Sequence, residues 1–457
     1  MKNLDLQNDL KKLLGDRCSF SEALRLNYAR GEDVFEPILS QAVVFPETNE
    51  EISSITKLCN KNNTPIVAFG TGTSLEGHAL GNQEGITLSL EKMNKVLSIN
   101  SEDFDCRVQA YVTRKQLNEE LRNQGIFFPI DPGADASIGG MAATSASGTM
   151  AVKYGTMKTV ITGLTVILAS GEIIRTGTRT KKSAAGYNLT NLFIGSEGTL
   201  GIISEIQLKL SPIPESIMSA VCQFNDLESA VLTAQEIIQY GVQIARIEML
   251  NEDQMSMSIK YSDLKNFDAK PTLFFEFHGS KNTNKESIEI VESISNNNNG
   301  SEFKWANSTE ERNKIWQARH DAYYAVKAQK NNIKVYVTDV CVPISNLVQT
   351  IKFAEEEIKK YGLQAPMVGH VGDGNFHVAI IYDPENKESH KVIKDFSNKL
   401  IDKALSLEGT ITGEHGIGIQ KKEYLLKQHP DNIPVMKSIK KTLDPKNILN
   451  PGKIFNL

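Results

Sequence analysis

The sequence predicts a two-domain α+β protein, and three observations carry that prediction. The chain has 457 residues, two to three times the length of an ordinary domain. Residues 38–130 alternate short β-rich runs with helical patterns and lead into a stretch, 131–201, that holds 12 of the 32 glycines. From Pro212 and Pro214 the texture changes to longer helices and separate strands, which sets a boundary near 213.

The elements follow in order. Leu4, Leu6, Leu10, Leu13 and Leu14 recur among charges as one face of an amphipathic helix, within a helical N-terminal segment over 1–37. That stripe is expected to dock on the body of the protein, although such a face also suits peripheral contact with a membrane surface. Residues 38–213 form the first domain, with strands in AVVFP (42–46), PIVAFG (65–70) and ITLSL (86–90) around the helix EEISSITKLCNKNN (50–63). Residues 214–425 form the second, with helices at LESAVLTAQEIIQYG (227–241) and LVQTIKFAEEEIKKYG (347–362) and a strand at TLFFEFHG (272–279). SNNNNG (295–300) reads as a polar surface turn, and 426–457 as a tail that packs back on the first domain.

Composition excludes several classes. No apolar run reaches the roughly 20 residues that span a bilayer, so an integral membrane protein is not expected. A formal charge of -5 offers no footprint for nucleic acid. The five cysteines are scattered, without a C-x-x-C pair, and read as reduced thiols. With no targeting segment recognised, the expected location is cytoplasmic, compatible with the inner face of a membrane.

The glycine-rich half reads as a cofactor cradle. The strand PIVAFG runs into Gly70, Thr71, Gly72, Thr73 and Ser74, whose backbone N–H groups can point at a pyrophosphate. Leu75 stands where a dinucleotide fingerprint needs its third glycine, and no G-K-[ST] follows, so neither a nicotinamide Rossmann domain nor a P-loop is indicated. Taken alone the loop reads as a tight surface turn. The segments PIDPGADASIGGMAATSASGTMAVKYGTM (129–157) and NLFIGSEGTLGIISEIQLKL (191–210) repeat the same small-residue logic, and the three together favour a large bound cofactor. This set resembles the FAD-binding domain of the flavoenzyme family typified by vanillyl-alcohol oxidase and para-cresol methylhydroxylase, whose fold is a two-subdomain FAD domain followed by an α+β cap domain. The resemblance implies that Gly70–Ser74 hold the pyrophosphate and that Pro132, Gly139, Gly140, Thr144, Gly148, Tyr154, Glu197, Gly198 and Ile203 line the flavin. It also implies non-covalent FAD, with His78 structural.

The histidine-rich motifs lie in the second half. In MVGHVGDGNFHVAII (367–381) a hairpin turn at Gly372-Asp373-Gly374 brings His370 and His377 to one side, where two imidazoles can share a divalent ion. In GTITGEHGIGIQKKEYL (409–425), Glu414 offers an oxygen ligand and His415 a base that need not bind metal. Asp373 reads as a turn residue, and His278, His320, His390 and His429 as ordinary core or surface histidines. Arg319, near Trp316 and Tyr323, is the candidate to grip a carboxylate with two hydrogen bonds.

WQARH, TDVCVPIS, GHVGDGNFH, GEHGIG and NPGK, preceded by ARIEML and FFEFHG, resemble the FAD-linked D-lactate dehydrogenases of the mitochondrial type. The resemblance implies His370, His377 and Glu414 as ligands of a divalent metal, zinc or else manganese, with His415 as base and Arg319 as carboxylate clamp. It implies oxidation of a small 2-hydroxy acid, D-lactate to pyruvate, with a cytochrome, quinone or flavoprotein as acceptor; a homodimer is compatible with it. Glycolate or D-2-hydroxyglutarate dehydrogenase is the alternative, and a non-catalytic FAD-binding subunit the alternative of another class. Where the 2-hydroxyglutarate branch has a lysine and an asparagine for the second carboxylate, this chain has Val337 and Ala379, which favours a monocarboxylate.

Overall fold

The computed structural model describes residues 4–265, 267–330 and 332–457. They form two compact units, one of residues up to 147 with 155–213 and 414–457, the other of residues 148–154 and 214–413. The second unit thus ends at Gly413, not at 425, and includes a short excursion from the glycine-rich half. The excursion is held there by Lys153, whose ammonium donates to the carbonyl of His278, and by Tyr154, hydrogen-bonded to the His278 ring. Residues after 413 belong to the first unit because the N–H groups of Ile417 and Gly418 donate to the buried Glu197 carboxylate at 2.7 and 2.8 Å.

The first unit contains a four-stranded sheet ordered Cys18–Ser19, Ala42–Val44, Ile86–Ser89, Ile66–Phe69, the last three parallel. Parallel strands need a crossover, and the helix Asn49–Lys61 supplies it: Thr48 caps its N-terminus and Ile52, Ile55 and Cys59 are buried. A second, antiparallel sheet runs Val96–Asn100, Asp105–Gln109, Ile202–Lys209, Ile161–Ile167, Ile173–Gly177. The N-terminal helix Leu4–Leu14 places Leu6, Leu10 and Leu14, one face at four-residue spacing, into the same core. The C-terminal tail adds to the first sheet, with Ile66 N donating to Ile448 O and Asn450 N to Ile66 O. Buried Lys440 donates to the carbonyls of Thr199 and Leu449 and so ties the tail to the GSEGTLG loop.

The second unit is built on an antiparallel sheet ordered Gly300–Ala306, Ser216–Phe224, Thr272–Gly279, Arg246–Leu250, Met367–His370, Asn375–Tyr382, Lys334–Val337, with Val340–Cys341 also pairing to Asn375–Tyr382. Alternation divides its strands into two faces. Phe275, Phe277, Ile247 and Met249 are fully buried on one, and the helices Leu227–Gln239 and Lys281–Asn297 contact these strands. The other face carries Ser219, Phe274, Glu276, Arg246, Glu248, His370 and His377, and the helix Thr309–His320 lies against it: Trp316 packs on Phe274 and donates from its indole to Ser219 Oγ. The reading of 295–300 as a surface turn is corrected. The helix continues to Asn297 because Ile288, Val291, Ile294 and Ser295 form one buried face, and only then does Asn298 cap it.

Candidate active site

In the second unit the hairpin joining Met367–His370 to Asn375–Tyr382 pairs Val368 with His377 and His370 with Asn375. Both histidines therefore project from the same face, with ring centroids 5.3 Å apart. The turn is tight enough to need glycine: Gly374 has φ +77°, and a Cβ there would fall 2.1 Å from the carbonyl oxygen of Val342. Asp373 is an exposed member of that turn, its N–H donating to His370 O.

The orientation of each ring is set by what its Nδ1 meets. His377 Nδ1 lies 3.0 Å from the Thr338 carbonyl, which can only accept, so Nδ1 carries a hydrogen. His370 Nδ1 lies 2.7 Å from Glu248 Oε1, and Arg319 Nε donates to Glu248 Oε2 at 2.8 Å. Glu248 is 1% exposed. Burial opposes its ionisation, but His370 and Arg319 outweigh burial and hold the carboxyl below its usual range. Among the described residues Arg319 is thus anchored through Nε, on the helix that carries buried Trp316. Asp339, also buried, accepts from Asn375 Nδ2 and Thr412 Oγ1, lies 3.7 Å from His377 Nδ1, and takes the Gly413 N–H on its own carbonyl. Glu248, Asp339 and, below, Glu76 are the residues that the sequence reading did not single out, although each stands as a lone carboxylate in an otherwise apolar or small-residue run.

His278 reads correctly as a satisfied core histidine, bonded through Nδ1 to Tyr154 and through Nε2 to Glu276, both at 2.8 Å. Burial pushes the Tyr154 hydroxyl up to about 12, with Glu276 adding to the effect. His320 stacks on Trp316, and His390 bonds to a backbone carbonyl at the surface.

In the first unit, Gly70–Ser74 form the loop after the strand Ile66–Phe69, against the helix Ile138–Thr144. Among the described residues no protein acceptor takes the N–H groups of Thr71, Gly72, Thr73 and Ser74, an arrangement that suits an anionic pyrophosphate. Gly139, Gly140 and Thr144 lie in that helix, where a Cβ at Gly139 would meet Ala110 at 2.6 Å. Pro132 precedes it, and Ile203 lies in the strand Ile202–Lys209. Gly148 and Tyr154 belong to the second unit. Glu197, at φ +53°, and Gly198, at φ +71°, shape a turn whose carboxylate faces the 417–418 amides. His78 is buried, with Nε2 3.2 Å from Glu197 Oε1.

Glu414 and His415 stand at the start of the segment that returns to this unit. Ser147 Oγ donates to Glu414 Oε2 at 3.1 Å. His415 Nδ1 lies 3.2 Å from Glu76 Oε1, and Lys421 Nζ 2.8 Å from the same oxygen. Burial opposes ionisation of Glu76, but Lys421 and His415 overcome it and hold the carboxyl below its usual range. The contact with the ionised Glu76 places a hydrogen on His415 Nδ1 and fixes the plane of the ring.

Comparison with known proteins places these features in a family. The description "FAD linked oxidases, C-terminal domain" matches residues 213–454, and "FAD binding domain" matches residues 40–177. The chain is 46% identical over 455 residues to the probable mitochondrial D-lactate dehydrogenase of Danio rerio, covering 98% of this chain and 91% of that protein. It is 40% identical over 454 residues to the mitochondrial D-lactate dehydrogenase [cytochrome] of Arabidopsis thaliana, covering 99% and 80%. Among solved structures, p-cresol methylhydroxylase with substrate bound has the same fold, with a TM-score of 0.80 at 18% identity over 99% of this chain and 96% of that one. The expected cytoplasmic location is overturned, because both relatives are named as mitochondrial. Unpaired cysteines and the lack, among the described residues, of a helix able to cross a membrane are common to both compartments and could not separate them. The chain belongs to the FAD-linked oxidase family and is an FAD-dependent oxidoreductase.

Proposed function

We propose that the protein oxidises a D-2-hydroxy monocarboxylate, D-lactate, to the 2-oxo acid. One observation carries this reading: a single face of the large sheet and its covering helix holds Arg319, a cation for a carboxylate, close to the His370–His377 pair, a seat for a metal, with Glu248 touching both Arg319 and His370. The donor set suits a borderline divalent ion such as zinc or manganese, since two imidazoles engaged through Nδ1 would each present Nε2 to it. Glu414 is the proposed third ligand. It follows Gly413 by one peptide bond, and Gly413 is fixed on Asp339, which also approaches His377.

When bound, FAD supplies the acceptor for the electrons and hydrogen that leave C2, and the divalent ion supplies a Lewis acid for the hydroxyl oxygen. The chain's own residues do the rest. Arg319, held through Nε, offers both terminal nitrogens to the substrate carboxylate and so fixes which hydrogen C2 presents. His415 Nε2 takes the hydroxyl proton, and Glu76 on Nδ1 stabilises the imidazolium that results. Gly70–Ser74 receive the FAD pyrophosphate. The activity named for the relatives supports D-lactate, and Val337 with Ala379 supports a substrate with one carboxylate.

Steady-state kinetics with one artificial acceptor on D-lactate, glycolate and D-2-hydroxyglutarate test the proposal. D-Lactate is expected to give the highest kcat/KM. An equal or higher value for the dicarboxylate removes the substrate assignment.

A further inference from the structure

We infer that Glu248 is a positioning residue that holds the metal-binding imidazole of His370 and the carboxylate-binding guanidinium of Arg319 in one fixed arrangement. The inference rests on the proposed roles of those two residues. Glu248 lies in the middle of the strand Arg246–Leu250, is 1% exposed, and divides its two oxygens between two donors: Oε1 takes His370 Nδ1 at 2.7 Å, Oε2 takes Arg319 Nε at 2.8 Å. A carboxylate in contact with a guanidinium is ionised and can only accept. His370 Nδ1 must therefore carry a hydrogen, and Nε2 is the nitrogen that would meet a metal ion. By the same contact, Arg319 is held at Glu248 through its Nε edge. Thr338 O performs the first of these tasks for His377 with a backbone carbonyl. At His370 a side chain does it, and that side chain is shared with the arginine.

A charged group this deep is costly unless every lone pair region finds a donor, so a carboxylate serving only the core would be replaceable by an apolar residue. The strand neighbours Ile247, Met249 and Leu250 are apolar and fully buried. Glutamine keeps the shape of Glu248 but offers one acceptor oxygen and one donor amide. It can satisfy His370 or Arg319, not both, and sets an N–H against an N–H at the other. Loss of such an outer hydrogen bond weakens metal affinity by about 10–100-fold in metalloproteins generally.

The test compares wild-type holoenzyme with Glu248→Gln and Glu248→Asp for FAD content, zinc dissociation constant in chelator competition, and kcat and KM for D-lactate. FAD content should be unchanged in both. In Glu248→Gln zinc should bind about 10–100-fold more weakly and KM should rise together with it, with Glu248→Asp, still a double acceptor, between the two. A Glu248→Gln protein with zinc affinity and KM within about twofold of wild type, when His377→Ala has lost its zinc, overturns the inference and leaves the metal site standing. If His377→Ala keeps its zinc, the metal assignment falls and this inference with it. If Glu248→Gln does not retain FAD, Glu248→Asp decides: both quantities must move in the same direction, and no movement overturns the inference.

Discussion

Val337 and Ala379 stand directly opposite one another across the pairing of Lys334–Val337 with Asn375–Tyr382, and Ala379 shares the face of His377 two residues away. The apolar pair thus lies beside the proposed metal seat. Lys334, paired with Tyr382, points to the opposite face of its strand and is poorly placed to serve a second carboxylate there. An unpaired carboxylate against Val337 costs several kcal/mol, enough for discrimination of about a hundredfold or more. Val337→Lys should therefore raise kcat/KM for D-2-hydroxyglutarate while lowering it for D-lactate. No gain on the dicarboxylate would show that its distal end lies elsewhere.

Arg319→Lys keeps the charge but loses the planar fork and the Nε contact to Glu248. KM for D-lactate should rise at least about tenfold, the scale of one charged hydrogen bond, with FAD content unchanged. Unaltered kinetics in this variant would remove Arg319 as the clamp.

His415→Ala should lower kcat by about 10²–10⁴, the usual contribution of a general base, without releasing FAD. Glu76→Gln should lower it less, since Nδ1 can still find an acceptor on the amide. Rates at saturating D-lactate, measured across pH, check this: a kcat that survives His415→Ala contradicts the assignment.

Stability should respond to acid through Glu276, buried against His278 and Arg246. Burial opposes its charge, but His278 and Arg246 prevail, and its folded pKa lies below the unfolded value. The stabilisation is therefore complete above the unfolded value, about 4.3, and is lost as pH falls through the folded one. Glu276→Gln should have a lower Tm than wild type at pH 7, with a gap that narrows as pH falls below about 4.3. A gap independent of pH would show that the charge contributes nothing.

Much of this architecture is legible in the sequence, and the reasons are local. The strand Thr272–Gly279 and the helices at 227–239 and 347–361 follow from apolar periodicity, and the histidine hairpin follows from alternation around Gly372-Asp373-Gly374. What escapes is any contact whose partner is far along the chain. Glu76 meets His415 across 339 residues and Glu248 meets His370 across 122, and nothing in the spacing of either pair records it. The one available signal was a charge inside a buried run, Ile247-Glu248-Met249-Leu250, which cannot lie in a core unpaired. The end of the second unit at Gly413 escaped for the same reason, since the Glu197 carboxylate that captures residues 417–418 lies more than 200 residues earlier. Compartment is not a property of the folded core at all, so the correction of the cytoplasmic expectation came from relatives that are named as mitochondrial.

The most direct measurement is the visible spectrum of the purified protein before and after anaerobic addition of D-lactate. The account predicts a yellow protein whose flavin absorbance is bleached by D-lactate and whose FAD is released intact on denaturation, with His78, buried beside Glu197, in a structural role. A flavin that binds normally but stays oxidised in the presence of D-lactate, with divalent metal supplied, would contradict it.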